Sequence, residues 1–142
     1  MSYTTLGQLT DRYGRQMLVG LTDRDHIATG WLDEATVERA IADAGATIDG
    51  YLAVRYRLPL EAVPPLVADL AARIAIWNLH TAAADPKIEA DYREAIRTLE
   101  GLSKGVLRLD LDGAEPAAAG NSGARITDRD RPMTAANLKG YI

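Results

Sequence analysis

Apolar residues in the first hundred positions recur with the spacing of a helix face rather than with the alternation of a strand. From residue 34 onward they fall at spacings of 4, 3, 4 and 3, in Val37, Ile41, Ala44, Ile48 and Tyr51. This spacing predicts one face of a long helix over residues 34–56. Asp33 is a suitable N-cap for it. Gly45 and Gly50 each cost this helix about 1 kcal/mol relative to Ala, and we expect them to allow a neighbouring backbone to approach closely.

A second long apolar face begins just after two prolines. Pro64 and Pro65 suit a helix start, because the N–H groups that they lack would be unpaired there anyway. Large apolar residues follow at spacings of 4, 4 and 3, in Leu66, Leu70, Ile74 and Trp77. The small residues between them favour close packing of this helix on its neighbours. They are Ala68, Ala71, Ala72 and Ala75. We therefore predict that this is the central helix.

Three further apolar groups complete a helical pattern. Thr5 can cap a short helix that ends at Gly14, and a second short apolar group contains Met17, Leu18 and Leu21. Asp85 followed by Pro86 is a strong start signal for a last helix, with Gly105 as its C-cap. Residues 22–33 are predicted to be a loop. The predicted fold class is all-α, a small bundle of four to five helices over residues 1–105.

The two long helices are joined by a proline-rich elbow within residues 49–67. The helix ends near the aromatic residues Tyr51 and Tyr56, and Pro59 disfavours helix at the preceding residue. Pro64 and Pro65 then begin the next helix. We interpret these five residues as a structural elbow that sets the crossing angle of the two helices.

The C-terminal third has a different character. Residues 106–112 alternate apolar and polar side chains, which predicts a short strand with Leu107, Leu109 and Leu111 on one face. A lone strand must pair with something, and a neighbouring subunit is the candidate. Residues 113–142 form an extended tail that begins with a low-complexity linker. Its apolar end is predicted to dock on a partner, or alternatively to cover the domain's own core, through Leu138, Tyr141 and Ile142.

Composition narrows the chemistry that the chain can perform. The sequence has 142 residues and no cysteine, which excludes disulfides, zinc–thiolate sites and cysteine catalysis. The net charge of −4 resides in residues 1–104, and no basic run occurs there. Tight wrapping of nucleic acid requires many Lys and Arg contacts to phosphates, so a conventional DNA-binding domain is disfavoured. The N-terminal residues lack a basic start and an apolar run, so we expect no secretory signal and a cytoplasmic origin.

One segment has part of the spacing of a calcium loop. Asp23, Asp25 and Glu34 match positions 1, 3 and 12. Ile27 and Ala28 occupy positions 5 and 6, which removes a ligand and the required glycine. We therefore favour a polar loop that leads into the next helix, and we expect no metal and no cofactor.

Other chemically interesting residues have simpler explanations. His26 and His80 are not spaced with a Ser or carboxylate to make a catalytic triad, so no catalytic residue and no enzyme activity are expected. Trp77 is predicted to be core, whereas Trp31 is either an interface anchor or a lid over the core. Four arginines could mark a phosphate site, but a solvated face or salt bridges between subunits explain them better. They are Arg39, Arg55, Arg57 and Arg73.

Residues 3–112 resemble a known family. The motifs that carry the resemblance are LTDR at 21–24, DGYLA at 49–53 with Arg55-Tyr56, LPL at 58–60 and VPPL at 63–66. In this order they are similar to small proteins of Mu-like phages and prophages, long described as a domain of unknown function, which lie among head and tail genes. That family resembles the helical head–tail connector, or adaptor, proteins.

The resemblance implies a structural role in the virion neck. Copies would form a ring, expected to be dodecameric, beneath the portal protein. The ring would extend the DNA channel and offer a platform to the next connector, a stopper or a tail protein, with DNA only as passing cargo and no membrane partner. The alternative is a small helical nucleic-acid-binding or regulatory protein of phage origin, whose expected basic recognition helix is not visible.

Overall fold

The computed structural model describes residues 1–25 and 27–111. This part of the chain contains no strand and five helices, namely α1 Leu6–Tyr13, α2 Arg15–Thr22, α3 Glu34–Leu52, α4 Pro65–Asn78 and α5 Pro86–Lys104. The predicted all-α bundle is therefore confirmed for the described residues. The predicted tail over 113–142 lies outside them.

The helices begin where the sequence places their caps. Thr5 and Gln8 form a reciprocal capping box at α1. The side chains of Asp33 and Asp85 accept hydrogen bonds from backbone N–H groups in the first turns of α3 and α5. At the other end of α5, Gly105 adopts a φ of 81°, the left-handed conformation that favours glycine. These N-cap and C-cap predictions are confirmed.

Helix α3 ends four residues earlier than predicted. Beyond Leu52 the chain tightens, because the N–H groups of Arg55 and Tyr56 both donate to the Leu52 carbonyl, at 3.0 and 2.8 Å. Tyr56 nevertheless stays buried, as the apolar spacing requires. The spacing therefore predicts burial correctly, although the last residues form a turn rather than helix.

The relative directions of the long helices follow from two contacts. A guanidinium nitrogen of Arg24, in the loop that leads from α2 to the start of α3, donates to the carbonyl oxygen of Leu79, just after α4, at 2.6 Å. The Arg55 guanidinium, just after α3, lies against Gly105 at the end of α5. Helix α3 is therefore antiparallel to α4 and parallel to α5. Seven of the fourteen residues of α4 are buried, and it packs against both α3 and α5, as predicted for the central helix.

The N-terminal residues cross α3 at one of its two glycines. A Cβ atom at Gly45 would lie 2.0 Å from the Met1 carbonyl oxygen, so only glycine fits there. Close by, the buried Tyr3 side chain donates its hydroxyl to the carboxylate of Asp49. At Gly50 a Cβ atom would meet nothing within 4 Å. The prediction of close backbone approach is thus confirmed at Gly45 and is wrong at Gly50.

Candidate interaction surfaces

The elbow between α3 and α4 is anchored by two buried side chains. Tyr56 and Leu60 are 3% and 4% exposed and belong to the core. Pro59, which follows a cis peptide bond, is exposed. Pro64 is the N-cap of α4 and Pro65 its first residue. The predicted elbow residues thus lie together at one end of the bundle, with Tyr51 half-buried on the last turn of α3.

Residues 106–111 pack back onto this same end and form no strand within the described part of the chain. The Leu109 N–H donates to the Tyr56 hydroxyl at 3.0 Å, and the Leu109 side chain is 8% exposed. The N–H groups of Leu107 and Leu111 donate to Gly101 and Leu109 carbonyls. The predicted edge through Leu107, Leu109 and Leu111 is therefore already hydrogen-bonded within the chain. Pairing of that edge with a second subunit stays a prediction that a single chain does not test.

We give the name corner patch to three of the exposed apolar residues at this end of the bundle: Val54, Val106 and Leu107, at 68%, 77% and 43% exposed. All three lie at the end of the bundle where the Arg55 guanidinium reaches Gly105, since Val54 precedes Arg55 and Val106 follows Gly105 in the sequence. Leu107 also rests against Gly101, where a Cβ atom would lie 3.0 Å from its side chain.

At the opposite end of the bundle, the loop before α3 is organised around the carboxylate of Asp23. It accepts hydrogen bonds from the N–H of Thr29 at 3.0 Å, the Thr29 hydroxyl at 3.0 Å and the N–H of Gly30 at 2.8 Å. The Thr29 and Gly30 N–H groups lower the pKa of Asp23 below its usual value, because they stabilise the charged form. The Thr22 hydroxyl accepts from the Asp33 N–H at 3.2 Å, which closes the loop at its base.

Two large apolar side chains near these hydrogen bonds are exposed to solvent, and we name them the loop patch: Ile27 and Trp31, at 77% and 71% exposed. Of the two interpretations of Trp31, the exposed anchor agrees with the structure and the lid over the core does not. Trp77 is less buried than predicted. It is only partly buried at the edge of the core, where its ring stacks on Tyr92 with centroids 4.6 Å apart.

Local structure uses the side chains of Asp23, Asp33 and His80. Both oxygens of Asp23 face backbone donors, and Asp33 caps α3 through Thr36, whose hydrogen bonds lower the pKa of Asp33. The His80 ring nitrogen Nδ1 lies 2.8 Å from the Ile76 carbonyl oxygen. No group of three potential metal ligands occurs in residues 1–25 and 27–111. His26 lies outside the described residues.

The arginines flagged in the sequence do not converge on one face. Arg73 forms an ion pair with Asp69 at 3.0 Å, and Arg12 of α1 bonds the same carboxylate, which ties α1 to α4. Arg39 is exposed within the second turn of α3, and Arg57 is exposed in the elbow after that helix. A subunit salt bridge through either of them stays a prediction.

Sequence reasoning named Leu107 as a subunit contact but missed Val54 and Val106, although a signal for both exists. Val54 does not lie on the apolar face of the helix predicted over residues 34–56. Val106 and Leu107 are neighbours in a segment of alternating side chains, where two neighbours point to opposite faces and only one of them can be buried. Apolar residues that break the local period are candidates for exposure. The role of Asp23 had a weaker signal, since its partners lie six and seven residues away in an irregular loop.

The two patches on a well-packed helical bundle define the class of protein: a small all-α domain with exposed apolar side chains at both ends. Among the described residues, no helix is both long and apolar enough to cross a membrane.

Residues 3–128 match the family model described as Bacteriophage Mu, Gp36. The chain is 35% identical to gene product J of Escherichia phage Mu over 142 residues, which covers all of both chains. It is 34% identical over 111 residues to the Mu-like prophage FluMu protein gp36 of Haemophilus influenzae, which covers 78% of this chain and 79% of that protein. The chain therefore belongs to the Mu Gp36 family of phage proteins, and the family predicted from its motifs is confirmed.

Proposed function

We propose that this chain is a head–tail connector of a Mu-like phage. Copies would form a ring beneath the portal, extend its DNA channel and join the head to the tail. Two facts support the proposal: the membership of a Mu phage family, and a fold in which a rigid helical bundle exposes apolar side chains at both ends. The role is structural and requires no catalytic residue and no cofactor.

The observation that carries the proposal is the exposure of large apolar residues in hydrogen-bonded, ordered segments. Trp31 is 71% exposed in a loop that Asp23 fixes by three hydrogen bonds, and Val106 is 77% exposed beside the anchored Leu109. Tryptophan is enriched among the residues that dominate binding energy at protein interfaces. A subunit of a ring needs at least two distinct contact surfaces, one toward each neighbour.

The charge of the bundle suits a channel through which DNA passes without binding. Residues 1–104 contain 15 acidic and 11 basic residues, a net charge of −4. An acidic channel wall would repel the phosphate backbone, so that DNA would not adhere during ejection. A basic lumen in the assembled ring would count against this part of the proposal.

The C-terminal residues supply the contact with other neck proteins in this proposal. Leu138, Tyr141 and Ile142 would bind the portal or the next connector. The segment through Leu107 and Leu109 would contact an adjacent subunit.

Electron microscopy of the purified chain with and without the portal protein tests the role. We expect rings that cap the portal, and heads without attached tails from phage that lack this gene. Portal that stays uncapped at saturating protein would contradict the proposal. A mobility-shift assay at physiological salt tests the alternative, since tight binding of duplex DNA by the free chain would favour a nucleic-acid-binding or regulatory protein instead.

A further inference from the structure

We propose that the loop patch of one copy binds the corner patch of the next copy, so that the chains associate head to tail. The inference rests on the proposed ring and adds the pair of surfaces that builds it. The two patches lie near opposite ends of α3. Ile27 and Trp31 lie at the start of α3, and Val54 lies just past its end. Nineteen helical residues separate the two ends by about 28 Å.

The charges around the two patches are complementary. Residues 23–25 and 31–34 contain four carboxylates and one arginine, a net charge of −3. Residues 53–61 and 104–110 contain four basic and two acidic residues, a net charge of +2. Opposite potentials across an interface steer association and disfavour wrong partners. Two copies that meet through two loop patches would instead bring like charges together.

Within these charged surroundings, two side chains are well suited to a direct test. Asp25 beside the loop patch and Lys104 beside the corner patch are both exposed. Each charge lies at the edge of its patch rather than among the apolar side chains, and the rims of protein interfaces are commonly polar. They therefore report on the electrostatic part of the contact.

A contact between two different surfaces is compatible with a ring. Surfaces that differ on the two partners make a heterologous interface, which closes into a ring when the rotation between neighbours permits and otherwise continues as a filament. Identical surfaces would make a closed dimer and stop. Since the loop patch and the corner patch are different surfaces at opposite ends of one rigid bundle, each copy keeps one of them free for a further neighbour.

Two blocking variants test the inference in the full-length chain. Trp31→Asp places a charge within the loop patch, and Val106→Asp places one within the corner patch. Both residues are exposed, so we expect both variants to fold, which circular dichroism checks. In sedimentation, each alone should weaken self-association by about 30-fold or more, the effect of losing a dominant interface residue. Asp43→Lys, an exposed change in the middle of α3, is the matched control and should leave association unchanged.

Mixing the two blocked variants gives the decisive result. The Trp31→Asp chain keeps its corner patch and the Val106→Asp chain keeps its loop patch, so together they can make one contact and no more. We expect a one-to-one heterodimer from two chains that are each monomeric alone. A Val106→Asp chain that still dimerises would show contact between two loop patches, and would overturn the inference.

Charge reversal provides a second, milder test. Asp25→Lys and Lys104→Glu should each weaken association, and the double variant should recover part of it. Because these charges are exposed, raising the salt from about 0.1 to 1 M should weaken the wild-type contact and leave the reversal variants less affected. Equal association of all four chains would contradict head-to-tail docking.

Failure of the inference and failure of the proposed function give different results. If rings on the portal form equally well from wild type and from both blocked variants, the connector role stands and the inference is wrong. If the wild-type chain stays monomeric up to about 1 mM, and also on the portal, both are wrong.

Discussion

Substitution by alanine should have opposite effects on stability at the two glycines of α3, Gly45 and Gly50. Gly45→Ala places a methyl group 2.0 Å from the Met1 carbonyl oxygen, where real Cβ contacts lie beyond about 3 Å. The N-terminal residues must therefore move by about 1 Å or more. Gly50→Ala adds the same methyl group to the same helix with nothing within 4 Å of it.

The magnitudes follow from what the displaced segment contributes. Both substitutions gain up to about 1 kcal/mol of helix propensity. Gly45→Ala additionally disturbs the buried Tyr3, whose burial contributes about 1.5–3 kcal/mol, and its hydrogen bond to the Asp49 carboxylate, worth about 1.5–3 kcal/mol. Partial loss of these terms gives a net destabilisation of about 1–3 kcal/mol. Gly50→Ala should stabilise the protein by up to about 1 kcal/mol.

Urea unfolding followed by circular dichroism measures both free energies, and the variants should fall on opposite sides of wild type. A double-mutant cycle with Tyr3→Phe identifies the cause. If Gly45→Ala releases the N-terminal segment, Tyr3→Phe should destabilise the wild type and cost almost nothing in the Gly45→Ala background. Equal stabilisation by both alanines, or strict additivity in the cycle, would refute the contact between the N-terminal backbone and α3.

Three further changes test the polar contacts of the bundle. Tyr56→Phe removes the acceptor of the buried Leu109 N–H and should cost about 1–3 kcal/mol, with faster hydrogen exchange at Leu109 as its local sign. Tyr13→Phe should be neutral or stabilising, because the buried Tyr13 hydroxyl has no hydrogen-bond partner within the described residues; a clear loss of stability would reveal one. The hydrogen bonds to Asp23 lower its pKa, so they are intact above its ordinary value of about 3.9 and are lost as the pH falls through the lower folded value. The Gly30 amide shift should follow that titration in NMR spectra and should be flat in Asp23→Asn, whereas a midpoint at or above the ordinary value would be contrary evidence.

The helices were predictable because their signals are local. Thr5, Asp33 and Asp85 each bond an N–H two or three residues ahead, so the sequence alone contains the whole interaction. The apolar spacing likewise predicts burial through Tyr56 without any knowledge of neighbouring helices. The predicted end of α3 was wrong because it is not set by a local signal. The turn after Leu52 depends on how Tyr56 packs into the core.

The interaction surfaces were less predictable because they depend on contacts between distant segments. Gly45 and Gly50 are equivalent in sequence, and only the path of residues 1–3 across α3 distinguishes them. The residues of the corner patch reach the same end of the bundle because Arg55 meets Gly105, fifty residues away along the chain. The alternation in 106–111 predicts Leu107, Leu109 and Leu111 on one face, whereas Leu109 is buried, Leu107 is exposed, and the partner of the Leu109 N–H is a side-chain hydroxyl of the elbow.

Each patch depends on a polar side chain that is not itself a member of the patch. The carboxylate of Asp23 fixes the loop that carries Trp31, and the Tyr56 hydroxyl fixes the segment that carries Val106. Ordering a loop on binding costs free energy, so an anchor that is already ordered loses less of its binding energy. It follows that Asp23→Asn and Tyr56→Phe should weaken self-association while leaving every apolar side chain of both patches in the sequence. Such a result would separate the positioning of a contact surface from its composition, which substitution of Trp31 alone cannot do.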